Sequence, residues 1–208
     1  MGFDQFLLTK LKENNARFTA VDSPNCVLTQ EDIQELADAL KNNTSVKSLS
    51  LPGNGITDEA FEPLAKVLEN HPSIEALNLT KNKLTNRSAA LIASIIAKNT
   101  TLVKLEIRLN PGIDAEGAKL IETALCHNQV LKMVFFELLS ESSKELIKRN
   151  IKQYYLSEKL QELIDNFSRK EPNKELLDDL IHALEEIKNS SLGREPVSID
   201  DSRRALVY

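Results

Sequence analysis

Histidine and cysteine are the side chains most able to shuttle protons, attack as nucleophiles or bind soft metals near neutral pH. This chain has His71, His127 and His182, with Cys26 and Cys126. The two cysteines lie far apart, with no CxxC and no neighbouring histidine pair, so neither a disulfide framework nor a structural zinc site is indicated. Cys126 directly precedes His127, but adjacency in sequence does not aim a thiolate at an imidazole. No serine, histidine and carboxylate fall into a recognisable triad. The expectation is a chain with no catalytic residues, no cofactor and no metal, in which His71 and His127 serve the turns at the ends of helices.

What positions these residues is a repeat. Residues 46–57 align with residues 74–85 at a spacing of 28, matching every apolar position: Val46, Leu49, Leu51, Ile56 against Ile74, Leu77, Leu79, Leu84, with Asn54 against Asn82. Leu102, Leu105, Ile107 and Asn110 continue the series, after which Pro111 adds one residue and moves the next apolar position to Ile113. Backward by 28, Phe18, Val21, Ser23 and Cys26 form a weaker copy with cysteine in the asparagine column. Forward by 29, Leu131, Val134 and Phe136 follow, but Leu139 takes the asparagine place. Five strands are predicted.

Between them the spacing turns helical. Ile33, Leu36, Ala37 and Leu40 superpose on Phe61, Leu64, Ala65 and Leu68, and these on Ala89, Ile92, Ala93 and Ile96. Polar clusters such as Thr29-Gln30-Glu31 and Thr57-Asp58-Glu59 suit helix starts by capping and dipole, and the helices end at Asn43, His71, Asn99 and Asn128. The last helix of the series departs from the pattern at Glu122, where the others carry alanine.

With these residues in register, residues 18–150 resemble the leucine-rich-repeat family of the ribonuclease-inhibitor-like type. Residues 144–150 are similar to that family's terminal helix. The resemblance implies an α/β fold: a right-handed leucine-rich-repeat solenoid with parallel strands on the concave face, helices on the convex face and helical caps. It also implies a module that binds another protein, with occlusion or inhibition of that partner as the mode. Physically, no single repeat can bury the face formed by Leu49 and Leu51 without Leu77 and Leu79 stacked on it. Asn54, Asn82 and Asn110, with Cys26 in their column, are expected to form a structural ladder that satisfies backbone groups after each strand.

If the strands alternate, residues flanking the inward leucines line the concave face. By repeat these are Ala20, Asp22, Pro24; Ser48, Ser50, Pro52; Ala76, Asn78, Thr80; Lys104, Glu106, Arg108; and Met133, Phe135, Glu137. The early rows are small or polar. The last two mix both charge signs with Met and Phe, a composition closer to an interface centre than to ordinary surface. Partner binding is therefore assigned to Lys104, Glu106, Arg108, Met133, Phe135 and Glu137, with Asn78 and Thr80 beside them. The competing reading places Met133 and Phe135 beneath covering terminal helices.

Outside the repeats, residues 1–17 are expected to form an N-terminal helical cap with Phe3, Phe6, Leu7 and Leu11 as its apolar stripe. Residues 151–190 read as a helical pair, the first helix ending near Pro172 and the second carrying Leu176, Leu177, Leu180, Ile181, Leu184 and Ile187. An adaptor that localises a partner through this pair is the alternative function. Residues 191–208 read as a flexible tail. Residues 171–195 hold −4 of the net charge of −5, and such an acidic balance argues against a nucleic-acid partner. That acidic end, followed by Arg203-Arg204-Ala205-Leu206-Val207-Tyr208, is similar to C-terminal translocation signals of effectors from intracellular bacteria, which would place the protein in a host cytosol. The N-terminus lacks a basic region and the longest apolar stretch, residues 89–97, is too short to span a bilayer. A cytoplasmic protein without membrane insertion, monomeric alone, is the expectation.

Overall fold

A computed structural model of the chain describes residues 3–169 and 181–186. The chain divides into two compact units at Ile147/Lys148, and each is taken by itself. The first unit is a leucine-rich-repeat solenoid. Its strands are β1 (Ala20–Asp22), β2 (Ser48–Ser50), β3 (Ala76–Asn78), β4 (Lys104–Glu106) and β5 (Met133–Phe135), paired in sequence order in one all-parallel sheet. The register follows the repeat: Leu49 faces Leu77 and Leu77 faces Leu105, 28 residues apart, whereas Leu105 faces Val134, one residue further on after Pro111.

Helices α1 (Gln5–Lys12), α2 (Gln30–Leu40), α3 (Asp58–Leu68), α4 (Asn86–Lys98) and α5 (Ala115–His127) alternate with the strands. Leucines and isoleucines from both layers form the core: Leu49, Leu51, Leu77, Leu79, Leu105 and Ile107 from the strands meet Leu36, Leu40, Phe61, Leu64, Ile92 and Ile121 from the helices, all buried. Each helix of the array starts at a polar cap. Thr29 and Asp32 form a reciprocal capping box, Thr57 and Thr85 accept from Ala60 N and Arg87 N, and Asp114 accepts from Glu116 N.

One cap reaches across repeats. The buried Asp58 carboxylate accepts from Thr85 N (2.9 Å) and Ser88 N (3.2 Å) and from both their hydroxyls, so α3 fixes the start of α4. Burial alone would raise the Asp58 pKa, but these hydrogen bonds outweigh it and hold the carboxyl below its ordinary value. Glu122, out of pattern in the sequence, has a similar task. It accepts from Ser140 N, immediately before the helix α6 (Glu141–Arg169), and although burial would raise its pKa, the hydrogen bonds to Ser140 and Ser143 together hold the carboxyl below its ordinary value.

Three expectations are corrected. In α1 the buried positions are Leu8 and Leu11, with Phe3 before the helix, while Phe6 is exposed and packs edge-on against Phe18. A helix beginning at Gln5 turns Leu8 and Leu11, three residues apart, to one side and Phe6 away from it. Second, α6 runs through Asn150 without a break, so the expected terminal helix of the array and the first helix of the following pair are one element. Third, the Cys26 side chain is half-buried and does not bridge repeats as the asparagines do: its thiol donates to Pro24 O in its own turn, because no strand precedes β1 for it to serve, and only its backbone N–H reaches the next repeat, at Asn54 Oδ1. Of the expected second helix, residues 181–186 are helical. The rest of it, and the tail from 191, lie outside the described residues.

Candidate functional site: the concave face at strands β4 and β5

Two polar columns hold the strands in place and so position whatever the concave face displays. In the first, Asn82 Oδ1 accepts from Asn54 N (3.1 Å) and Ile56 N (3.0 Å), and its Nδ2 donates to Leu51 O (3.0 Å) and Leu79 O (2.9 Å). Asn110 repeats this with Leu84 N, Leu79 O and Ile107 O, and Asn54 with Cys26 N and Ser23 O. The second column lies at the helix ends. Asn43, Asn99 and Asn128 each donate to a carbonyl of the preceding repeat or cap (Leu11, Leu68, Ile96) and accept from two amides of their own turn.

His71 stands in this second column and imitates asparagine. Its Nε2 lies 3.2 Å from Leu40 O, and its Nδ1 accepts from Ser73 N (3.4 Å) and Ile74 N (3.3 Å). That set requires the neutral ring with its proton on Nε2. Burial lowers the His71 pKa, and the bond to Leu40 opposes this without reversing it. His127 and His182 are exposed. Among the described residues no group of three or more His, Cys, Asp or Glu could hold a metal ion. No helix among them is long and apolar enough to cross a membrane.

With the backbone thus fixed, alternation turns the flanking residues of each strand outward. Register places Met133 beside Lys104 and Phe135 beside Glu106. Phe135 is 39% exposed, and Met133 is exposed as well. The Lys104 ammonium sits 5.5 Å from the Phe135 ring centroid and the Arg108 guanidinium 5.3 Å, so the ring is flanked by two cations. Both cations also meet Glu106: Lys104 Nζ at 2.6 Å from Oε1, and Arg108 Nη2 at 3.5 Å from Oε2. Such partly solvated contacts are each worth only about 0–1 kcal/mol, so they orient the cluster without committing it.

The other residues assigned to this face have different surroundings. Glu137 Oε1 accepts from Leu109 N at 2.9 Å. In the preceding repeats that amide position bonds a strand carbonyl of the next repeat: Asn25 N to Pro52 O, Gly53 N to Thr80 O, Lys81 N to Arg108 O. Glu137 therefore substitutes a carboxylate where the carbonyl series ends. Asn78 Oδ1 accepts from Thr80 N within its own strand segment, and the buried Thr80 Oγ1 has no hydrogen-bond partner in the structure. The structure thus brings Lys104, Glu106, Arg108 and Phe135 together with Met133 alongside, leaves Asn78 and Thr80 to their own turn, and ties Glu137 to the backbone.

Two exposed residues beside this cluster escaped the sequence reading. Leu109 and Leu138 occupy the turn position just before the asparagine column, where earlier repeats have Asn25, Gly53 and Lys81. Comparing that column across repeats would have shown two leucines where polar residues and glycine precede them.

Comparison with known proteins agrees with this architecture. Residues 4–153 match the family model described as the TMOD/LMOD leucine-rich domain. Among solved structures, one titled "Leiomodin-1 Actin-Binding Site 2" superposes with a TM-score of 0.71 at 24% identity, covering 79% of this chain and 99% of the other. The tropomodulin C-terminal domain of Caenorhabditis elegans gives a TM-score of 0.66 at 21% identity, covering 76% and 97%. No curated protein sequence matches the chain.

Proposed function

The chain belongs to the tropomodulin/leiomodin leucine-rich domain family, and from that membership we propose that it is a non-catalytic module that binds another protein on its concave face at β4 and β5. The observation carrying this is Phe135, held exposed between Lys104 and Arg108 on the rigid sheet. Aromatic and arginine side chains dominate binding energy at interface centres, and a preorganised cluster loses little entropy when a partner covers it. The exposure of Met133 and Phe135 favours this reading over their burial beneath covering helices.

Actin is the partner to test first, because the similar leiomodin structure is named as an actin-binding site. An actin partner would be met in a eukaryotic cytosol, where a translocated effector would act, and occlusion of a surface of that partner is the proposed mode. The experiment is co-sedimentation with filamentous actin and capture of monomeric actin, using the chain and its R108E/F135A variant. Expected is binding by the chain and a loss of about 30-fold or more in the variant, the scale of a hot spot, with an unchanged circular dichroism melt. A double variant that binds as well as the parent refutes the concave site. An absence of actin binding in both refutes actin as the partner.

A further inference from the structure

Within the asparagine column, Asn54 is followed by Gly55, whereas Lys83 follows Asn82 and Pro111 follows Asn110. An asparagine before glycine is open to attack by the glycine nitrogen on its own side-chain carbonyl carbon, because glycine has no Cβ to obstruct the approach. A lysine obstructs it, and a proline has no N–H to lose. The fold requires both members of the pair. Asn54 bridges the first two repeats, and Gly55 has φ 68°, a left-handed value that side chains resist.

The closed array prevents the attack. Asn54 is 2% exposed, its Oδ1 accepts from Cys26 N (2.6 Å) and its Nδ2 donates to Ser23 O (2.7 Å). Its backbone is held too, since Asn82 Oδ1 takes Asn54 N and Ile56 N and passes over the Gly55 N–H between them. Ring closure must swing the side-chain amide away from both first-repeat partners, and water must then reach a buried site. Separation of the first repeat from the second meets both conditions.

That repeat is weakly secured. No strand precedes β1, and the Cys26 side chain bonds only within its own turn. Asn54 Oδ1 serves one amide where Asn82 Oδ1 serves two. Val27 is β-branched at φ 52° and 74% exposed, so burial does not offset its strain. An end repeat with neighbours on one side of its sheet opens ahead of the array.

We propose that Asn54 is a self-modification site that reacts when the first repeat opens and then keeps it open. The Gly55 nitrogen, giving its proton to solvent, bonds to Asn54 Cγ; the Cγ–Nδ2 bond breaks and ammonia leaves, closing a five-membered succinimide. One water then adds to either ring carbonyl, and cleavage of that carbon's bond to the nitrogen gives aspartate or isoaspartate. Aspartate sets an oxygen against Ser23 O where an N–H had donated, and isoaspartate adds a carbon to the backbone before Gly55. Neither product restores the junction.

The test incubates the full chain, L11A and I121A at mildly alkaline pH and follows Asn54 by peptide mapping with mass spectrometry, with the chain in urea as the unconstrained reference. Leu11 is buried in α1, which packs on α2 at the N-terminal end, and Ile121 is buried in α5 at the other. Expected are conversion about 100-fold or more slower in the native chain than in urea, and about 10-fold faster in L11A than in I121A, with Asn82 and Asn110 intact. In the isolated product, the amides of Ser23 and Asn25, which bond Ser50 O and Pro52 O, should exchange faster, while those of Leu79 and Ile107 stay protected. This last measurement does not depend on how either variant folds. Native conversion as fast as in urea, equal rates in the two variants, or a product whose Ser23 and Asn25 amides exchange as in the parent each overturns the assignment.

Discussion

Replacing Asn82 by alanine removes the acceptor of two buried amides, Asn54 N and Ile56 N, and the donor to Leu51 O and Leu79 O. A buried polar group left unsatisfied costs about 1–3 kcal/mol. The two amides alone then cost about 2–6 kcal/mol, and with partial relaxation a loss of about 3–5 kcal/mol is expected, against a total stability of about 5–15 kcal/mol for a domain. Asn54→Ala is the internal control. Its side-chain oxygen serves a single amide, Cys26 N, beside the half-buried Cys26, where water can substitute, so about 1–2 kcal/mol is expected. Urea unfolding followed by far-ultraviolet circular dichroism compares the two variants, and native-state hydrogen exchange reads the amides directly. In N82A the amides of Asn54 and Ile56 should lose protection beyond the global change. If N82A costs no more than N54A, or those two amides keep their relative protection, the column does not work as a shared set of hydrogen bonds and the reasoning fails.

Two further outcomes follow from the packing. Because burial holds the His71 pKa below its ordinary value of 6.5, the unfolded chain binds a proton that the folded chain does not between the folded pKa and that value. Stability should therefore decline as pH falls through that interval and level off below the folded pKa. H71N, which restores the asparagine of Asn43, Asn99 and Asn128, should flatten that part of the profile in melts recorded between about pH 7.5 and 5; an unchanged slope would count against His71 as its source. At Gly117, an added Cβ would lie 2.3 Å from Asn86 Oδ1, 2.9 Å from Ile113 Cγ2 and 3.0 Å from Ala89 Cβ. G117A should cost about 1–3 kcal/mol by overpacking α4 against α5, read from the urea midpoint; a neutral G117A would mean that the two helices can separate freely.

Much of the fold could be read from the chain because a repeat overdetermines it. Once residues 46–57 superpose on 74–85, the strand register, the inward leucines and the polar columns all follow, and Pro111 accounts for the change of spacing from 28 to 29. Legibility ends where the period does. In α1 a single helix has no second copy to align with, and the choice between Phe6 and Leu8 depended on where the helix starts. At Asn150 nothing in the composition marks whether a helix continues, and α6 does. For the concave face, alternation named the outward residues but not their pairing. That Glu106 meets both cations, while Glu137 turns to Leu109 N, depends on side-chain reach across neighbouring repeats, which spacing along one strand does not encode.

The Glu137 carboxylate has a consequence for how such an array can change in length. Duplication of a repeat-sized stretch upstream, such as residues 46–73, would add a copy whose two faces are complementary to the neighbours it already has, since Gly53 N bonds a carbonyl of the following repeat and the Asn82 side chain bonds backbone groups of the preceding one. Duplication beyond β5 would not, because there the backbone hydrogen-bonding series has been handed to a side chain and the asparagine column ends in Leu139. An added repeat is therefore accommodated inside the array, where its surface would separate the N-terminal cap from the charged end while leaving that end unchanged.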